Sequence, residues 1–247
     1  MRVWFDAILV ALAVLAGSIA AISGFGIGSL LTPVLMVSMR PADAVAVLAI
    51  PHAVATTIRL LRLRSDVDVP TFKQFGVASA VGGLTGAMLQ ARLASPALTI
   101  VLAVLLVLSG STELARRPVP LPQTPTWRLV GGLLSGFFGG LVGNQGGIRA
   151  AALLGFNLPP QQLVATATAA ALFVDAARVP IYLLTASSVI AASTRLWMLV
   201  TVGVTVGTFA GVPILGRIPQ PIYRRVVGGL LLLLGCGLLV AAVVSMR

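Results

Sequence analysis

The chain is poor in charge and poorest in acid. Of its 247 residues only 9% are Asp, Glu, Lys or Arg, and 6 carboxylates stand against 17 Lys and Arg. A water-soluble domain carries about 25% charged residues, so this chain cannot present an ordinary wet surface. The single cysteine, Cys236, lies inside the apolar run 226–244, so there is no disulfide framework. The single histidine, His52, and the lack of any Cys/His cluster leave no metal site. No phosphate-cradling Gly-rich loop ending in Lys-Ser/Thr is present, so ATP hydrolysis within the chain is unsupported and no cofactor is called for. The net charge of +11 would point to nucleic acid in a soluble protein. Here the arginines stand singly or in small clusters between apolar runs, without a basic stripe or interleaved aromatics. They read as orientation signals and contacts to anionic lipid head groups, with no nucleic-acid partner.

What the chain has in quantity is apolar length: 58% hydrophobic residues, with several runs near the ~20 residues that a helix needs to cross a bilayer. It also repeats itself. Ser23-Gly24-Phe25-Gly26-Ile27-Gly28 returns 119 positions later as Val142-Gly143-Asn144-Gln145-Gly146-Gly147. The same offset pairs Gly17 with Gly136, Leu35 with Leu154, Pro41 with Pro160, Ala46 with Ala165 and Arg59 with Arg178. Further on the offset is 125, pairing Gly82 with Gly207, Gly86 with Gly211, Arg92 with Arg217, Pro96 with Pro221 and Gly110 with Gly235. Matched Gly, Pro and Arg positions in a duplicated apolar chain point to a membrane transporter. The start of the chain has the outline of a signal peptide, with Arg2, an apolar run and Ala16-Gly17-Ser18. Gly17 and Gly24 have counterparts inside the second half, where no cleavage signal belongs, so this stretch reads as a helix.

Each half divides into five helical segments, near 4–22, 28–38, 41–63, 71–91 and 96–114, then 127–141, 147–156, 160–184, 195–216 and 221–245. Pro41, Pro96, Pro160 and Pro221 each open an apolar run, where the missing N–H costs nothing. Residues 1–115 form the first repeat, 116–126 a Pro-rich linker and 127–247 the second repeat, within a single membrane domain. The six-residue difference in offset falls between the third and fourth helices. Glycines of the fourth helices, Gly82, Gly83 and Gly86 with Gly203, Gly207 and Gly211, read as close-packing surfaces.

Lys and Arg mark cytoplasmic loops. After the third helix of the first half stand Arg62, Arg64 and Lys73, with Arg59 just before; the following loop has only Arg92. In the second half the bias reverses, Arg195 alone against Arg217, Arg224 and Arg225. The repeats are therefore expected to be inverted, provided that the first two segments of each half make an even number of crossings. A re-entrant hairpin satisfies that, its second arm being too short to span. The expected fold is an all-α polytopic membrane protein of two inverted-topology repeats, each a broken, re-entrant helical hairpin plus three transmembrane helices. The linker, carrying Arg116 and Arg117, is expected in the cytoplasm and both termini outside. Homo-oligomerisation is left open.

The hairpin tips are the duplicated motifs, expected near the bilayer midplane and near each other. Gly24, Gly26 and Gly28, and Gly146 and Gly147, allow the tight irregular backbone that survives at that depth only beside protein or water. Each tip precedes a helix N-terminus, begun by Ser29 and by Ile148, whose unpaired N–H groups suit an anion such as sulfite or a sulfonate. The plainer alternative is that these glycines only permit close crossing. Asn144 and Gln145 replace Phe25 and Gly26, setting amide donors opposite an aromatic wall. His52, midway along the third helix, reads either as a proton-coupling group or as a histidine hydrogen-bonded within the bundle; Thr56 and Thr57 follow one turn on. Asp175 and Arg178, three apart, are expected to pair, with Arg178 lending charge to an anion pathway as the alternative. Arg149 either attracts anions or faces head groups.

These residues resemble the sulfite exporter TauE/SafE family, also called the toluene-sulfonate uptake permease family. The resemblance rests on Ala16-Gly17, the break Gly24–Gly28, Thr32-Pro33-Val34-Leu35 and the Pro41…Ala44-Val45-Ala46 helix start. The second half repeats these as Gly136, Gly143–Gly147, Leu154 and Pro160…Val164-Ala165-Thr166. It implies an inner-membrane permease, not an enzyme, for sulfur-containing or other small organic anions. Family members often have a denser Gly run at the tip, which Phe25, Asn144 and Gln145 interrupt, and Ala152 stands where the second half would match Pro33. Two other readings compete. An intramembrane hydrolase would use Ser23 as nucleophile and His52 as base, but the other half has Val142 and Ala171 there. A passive anion channel would need a continuous wet path in place of a midplane site.

Overall fold

The structure, a computed structural model, describes residues 2–23, 26–93, 95–115, 124–154, 156, 158–215 and 219–245. Most of the linker, Arg116 and Arg117 included, lies outside the described residues, as do Gly24, Phe25 and Arg217. Among the described residues there is no strand. The first half comprises α1 (Arg2–Ser23), α2 (Ile27–Leu35), α3 (Pro41–Leu63), a 3₁₀ turn (Arg64–Asp66), α4 (Val69–Thr71), a π-helical stretch (Phe72–Gly76), α5 (Val77–Gln90) and α6 (Ser95–Ala115). The second comprises α7 (Pro125–Val142), α8 (Gly146–Leu154), α9 (Pro160–Thr185), α10 (Ser187–Ala192), α11 (Thr194–Leu215) and α12 (Gln220–Ser245).

Local chemistry sets the helix starts. Pro41 and Pro160 are first residues of α3 and α9. Thr124 caps α7, its side chain accepting from the Trp127 N–H at 3.3 Å, and Asp68 caps α4 by accepting from the Thr71 N–H at 2.9 Å. The six-residue excess of the second half falls where α10 stands, a six-residue helix. The expected fourth helix of the first half is interrupted by the π-helical turn, which its counterpart in α11 lacks.

Among the described residues five helices are long and apolar enough to cross a membrane: Trp4–Ser23, Pro41–Asp66, Ser95–Ala115, Pro160–Thr185 and Arg224–Val244. The chain is a multi-pass membrane protein. Leu233 and Val240 on α12 and Leu108 on α6 stand exposed, an arrangement that suits lipid and not water. The hairpin expectation fits α2 and α8, 9 residues each and too short to span. The first arm, α1, has a candidate span of 20 residues by length and composition.

The halves contact each other reciprocally. α1 packs along α11 and α5 along α7, pairs that the two sequence offsets exchange. A Cβ on Gly17 would strike the carbonyl of Val204, and one on Gly136 the carbonyl of Ser79. Gly207 lies on the Val14 carbonyl and Gly82 on that of Leu133. Each contact maps onto its partner when the halves are swapped. With no force from water between helices in lipid, such backbone approach is what holds them together.

Equivalent helices meet antiparallel. In α6 and α12, Gly110 faces Gly228 while Gly235 faces Ala103. In α3 and α9, His52 meets Asp175 and Arg59 meets Thr168, while Asp66, just past α3, meets Gln161. Arg59, expected among the loop charges, is instead buried inside this crossing. Its position in the helix turns it toward α9, and it has no part in the charge bias of the loop.

The reciprocal packing predicts a contrast. Gly136→Ala drives a methyl into the Ser79 carbonyl and should destabilise by on the order of 1–3 kcal/mol. Gly229→Ala, with nothing within 4 Å, should be neutral or gain up to about 1 kcal/mol from helix propensity. Thermal unfolding midpoints of the two variants in detergent check this, with Gly136→Ala the lower.

Candidate functional site

Two broken helices meet tip to tip. α7 ends at Gly143, which adopts a left-handed conformation at φ 72°, and α2 is entered from Gly26 at φ 136°. Both values are regions that L side chains rarely adopt, so the breaks need glycine. The helices that follow start at Ile27 and Gly146, two residues earlier than Ser29 and Ile148, because these glycines complete the turn so tightly. A Cβ on Gly28 would collide with the Gly143 carbonyl, so the tips are in backbone contact. Ser29 Oγ donates across the junction to Asn144 Oδ1 at 3.0 Å.

Between the tips lies a small, partly open cavity. Among the described residues its wall comprises Gly26, Gly28 and Ser29 from the first tip, Gly143, Gln145 and Gly146 from the second, and Arg149 and His52. The first N–H groups of α2 and α8 have no partner within their helices. Arg149 is buried here, not directed to head groups. Asn144 is buried beside the cavity. Gly147 is turned away, against Ser109 Oγ of α6. Gly24 and Phe25 lie outside the described residues.

The polar atoms around the cavity are unequally satisfied. Asn144 Nδ2, Gln145 Nε2, Arg149 Nε and Thr32 Oγ1 are all buried without a hydrogen-bond partner among the described residues. Arg149 does donate once, from Nη2 to Gln145 Oε1. Every one of the four can donate, and three can only donate. A buried donor without a partner costs about 1–3 kcal/mol, and of the four, Gln145 and Arg149 stand in the cavity wall itself. Thr32 escaped sequence reasoning; its place one turn into the short helix after the break was the only available signal.

Behind the cavity runs a buried ionic chain. His52 is the central residue of α3, and its Nδ1 lies 2.7 Å from Asp175 Oδ2 on α9. Arg178 grips the other carboxylate oxygen through Nε at 2.9 Å and Nη2 at 2.8 Å, so the expected pair exists and extends to His52. Arg178 Nη1 also donates to the Gly139 carbonyl at 2.6 Å, and Tyr182 OH donates to the Gly140 carbonyl. Arg59 makes the equivalent bond in the first half, to the Ala20 carbonyl at 2.5 Å, and a second to Thr168 Oγ1 at 3.0 Å. Sequence reasoning missed its role, although its match to Arg178 was the signal for it. Thr56 is buried, its hydroxyl 3.4 Å from His52 Nδ1, whereas Thr57 is exposed and bonded to the Ala53 carbonyl, one residue's rotation away. Ser23 Oγ donates to the Ile19 carbonyl.

A multi-pass helical protein with a donor-lined cavity at the middle of its central helices belongs to the class of membrane transporters. A profile of the sulfite exporter TauE/SafE family matches residues 9–238, nearly the whole chain. The chain belongs to that family, and so is a transporter and not an enzyme. No curated protein and no solved structure matches it.

The ionic chain predicts a stability effect. Asp175→Asn leaves Arg178 buried without its counter-charge and should cost on the order of 3–5 kcal/mol. A lowered unfolding midpoint in detergent is the expected result, and an unchanged midpoint would show that the pair holds nothing together.

Proposed function

We propose that this chain moves a small sulfur oxyanion such as sulfite or a sulfonate across the cell inner membrane by alternating access at the junction of two inverted repeats. The observation that carries the reading is the pair of unpartnered buried donors on the wall of a cavity between two helix N-termini, Gln145 Nε2 and Arg149 Nε, with the equally unpartnered Asn144 Nδ2 on the adjoining residue. An oxyanion supplies several acceptor atoms and a negative charge, which is what this wall lacks. The amides and the helix ends bind it without charge of their own, beside the single guanidinium of Arg149 at the wall.

Inversion is supported by the antiparallel meeting of α3 with α9 and of α6 with α12. A two-fold exchange of membrane-crossing helices that run oppositely needs an axis in the membrane plane. In this reading residues 1–115 and 127–247 are the two repeats, the linker is cytoplasmic and both termini lie outside. The midplane position is supported by His52, at the centre of α3 and on the cavity wall.

His52 is the proton-coupling group of this scheme. Asp175 holds Nδ1, so a neutral ring keeps its proton there and offers a lone pair at Nε2. Uptake of a proton turns Nε2 into a donor and adds positive charge at the cavity. Anion and proton then favour each other's binding, and affinity rises as pH falls.

In proteoliposomes, Asn144→Leu or Gln145→Leu should abolish flux of labelled sulfite, thiosulfate and a sulfoacid while the protein still inserts. Full flux in both variants would remove the site. His52→Ala should flatten the pH dependence of uptake while some transport remains, and a pH profile identical to the parent's would end the coupling role.

A further inference from the structure

The charge surrounding the cavity narrows the substrate class. The chain has 6 carboxylates, all of them among the described residues. Five are engaged elsewhere. Asp6 pairs with Arg195, Asp43 with Arg40 at 2.8 Å and Glu113 with Arg224 at 2.8 Å. Asp66 accepts from Gln161 at 2.9 Å, and Asp68 caps α4. Only Asp175 serves the junction.

Three guanidinium groups are buried there with it, Arg59, Arg149 and Arg178, none more than 4% exposed. Arg178 takes the carboxylate. The partners of Arg59, the Ala20 carbonyl and Thr168 Oγ1, are neutral, and so is that of Arg149, Gln145 Oε1. Guanidinium keeps its proton in proteins. The junction therefore carries a surplus of two positive charges in a chain with no further acid to balance them. Unbalanced charge at membrane depth is among the costliest features that a fold can hold, and it is a functional signal.

We infer that the site is built for a dianion and discriminates against monoanions of the same shape. The inference rests on the reading of the cavity as an anion site. A sulfur oxyanion with two negative charges brings the junction to neutrality, whereas a monoanionic sulfonate leaves one charge unmatched. Arg149 meets the anion at the cavity wall. Arg59 and Arg178 act on it through space, as specificity-determining charges. His52 faces Asp175 and Thr56, with Arg59 and Arg178 beyond; protonating it adds to the surplus and so strengthens the preference for a dianion.

Thiosulfate and methanesulfonate decide the matter, because each is an SO₃ head with one further heavy atom on sulfur, and they differ in charge. Dissociation constants are measured by calorimetry on the purified full-length chain in detergent at fixed ionic strength. Thiosulfate should bind at least about tenfold more tightly, the order of effect that one unit charge exerts across several ångströms of protein. Arg59→Gln removes one surplus charge, and Thr168→Asp balances it in place by setting a carboxylate beside the guanidinium. Each should shrink the thiosulfate preference at least about threefold while methanesulfonate still binds, so either variant decides if the other does not fold. Equal binding of the two anions by the parent chain would overturn the charge inference and leave the anion site standing. So would an unchanged preference in the variants. Binding of neither anion by the parent chain would overturn the anion site as well.

Discussion

α3 and α9 cross antiparallel at their polar middles, and the rest of the site hangs on that crossing. It joins His52 to Asp175 and Arg59 to Thr168, and it sends the far ends of both arginines to the broken helices. Ala20 and Gly139 lie in the last turns of α1 and α7, and the Gly139 carbonyl also accepts from the Gly143 N–H at 3.2 Å. Arg59 and Arg178 bond to those carbonyls. A cation at a helix C-terminus also meets the negative end of the helix dipole. Each break thus has an arginine holding the outgoing end of one helix and a free N-terminus offered by the next. The charges that would be hardest to keep in lipid are the ones that hold the tips together.

The two-fold pattern stops at the cavity. The glycine contacts and the arginine bonds to carbonyls have exchangeable counterparts, but the polar groups at the cavity do not. Asn144, Gln145 and Arg149 all come from the second half, where the first half has Phe25, Gly26 and Leu30 at the matching positions. The first half contributes Ser29 and His52 instead. Asp175 corresponds to Thr56, so one carboxylate serves where duplication would have placed two. A fully symmetric junction would set two copies of Arg149 against each other across one small cavity. The divergence gives one cavity a single set of donors.

Much of this was legible in the sequence because it depends on punctuation. Pro41 and Pro160 start their helices where local chemistry says they should, and one glycine from each copy of the motif, Gly26 and Gly143, stands at a break. The extra six residues of the second half could be counted, but nothing in Ser187–Ala192 announced a separate turn of helix. The π-helical turn at Phe72–Gly76 was invisible, since it depends on packing against neighbours and not on residue type. Helix rotation was the main thing hidden. Thr56 and Thr57 look interchangeable in a string, yet one is buried and the other exposed. Arg59 resembles its neighbours Arg62 and Arg64, and only its repeat partner Arg178 distinguishes it as an interior residue.

The kind of contact also determines which parts can move. α1 with α11 and α5 with α7 are joined by glycine seated on backbone carbonyl, a contact with no slack. Sliding such a pair by a fraction of a turn would put other residues' Cβ atoms where only hydrogen fits. Each pair must therefore travel as one body. The α3–α9 crossing is held differently, by side chains long enough to re-aim, among them His52, Arg59 and Arg178. The alternating access proposed for this junction would then be a rocking of two glycine-locked pairs about a polar crossing that lets go and re-forms its bonds. In that proposal, an anion that neutralises the surplus charge beside the crossing would lower the cost of breaking its ion pairs, and an occupied cavity would move more readily than an empty one.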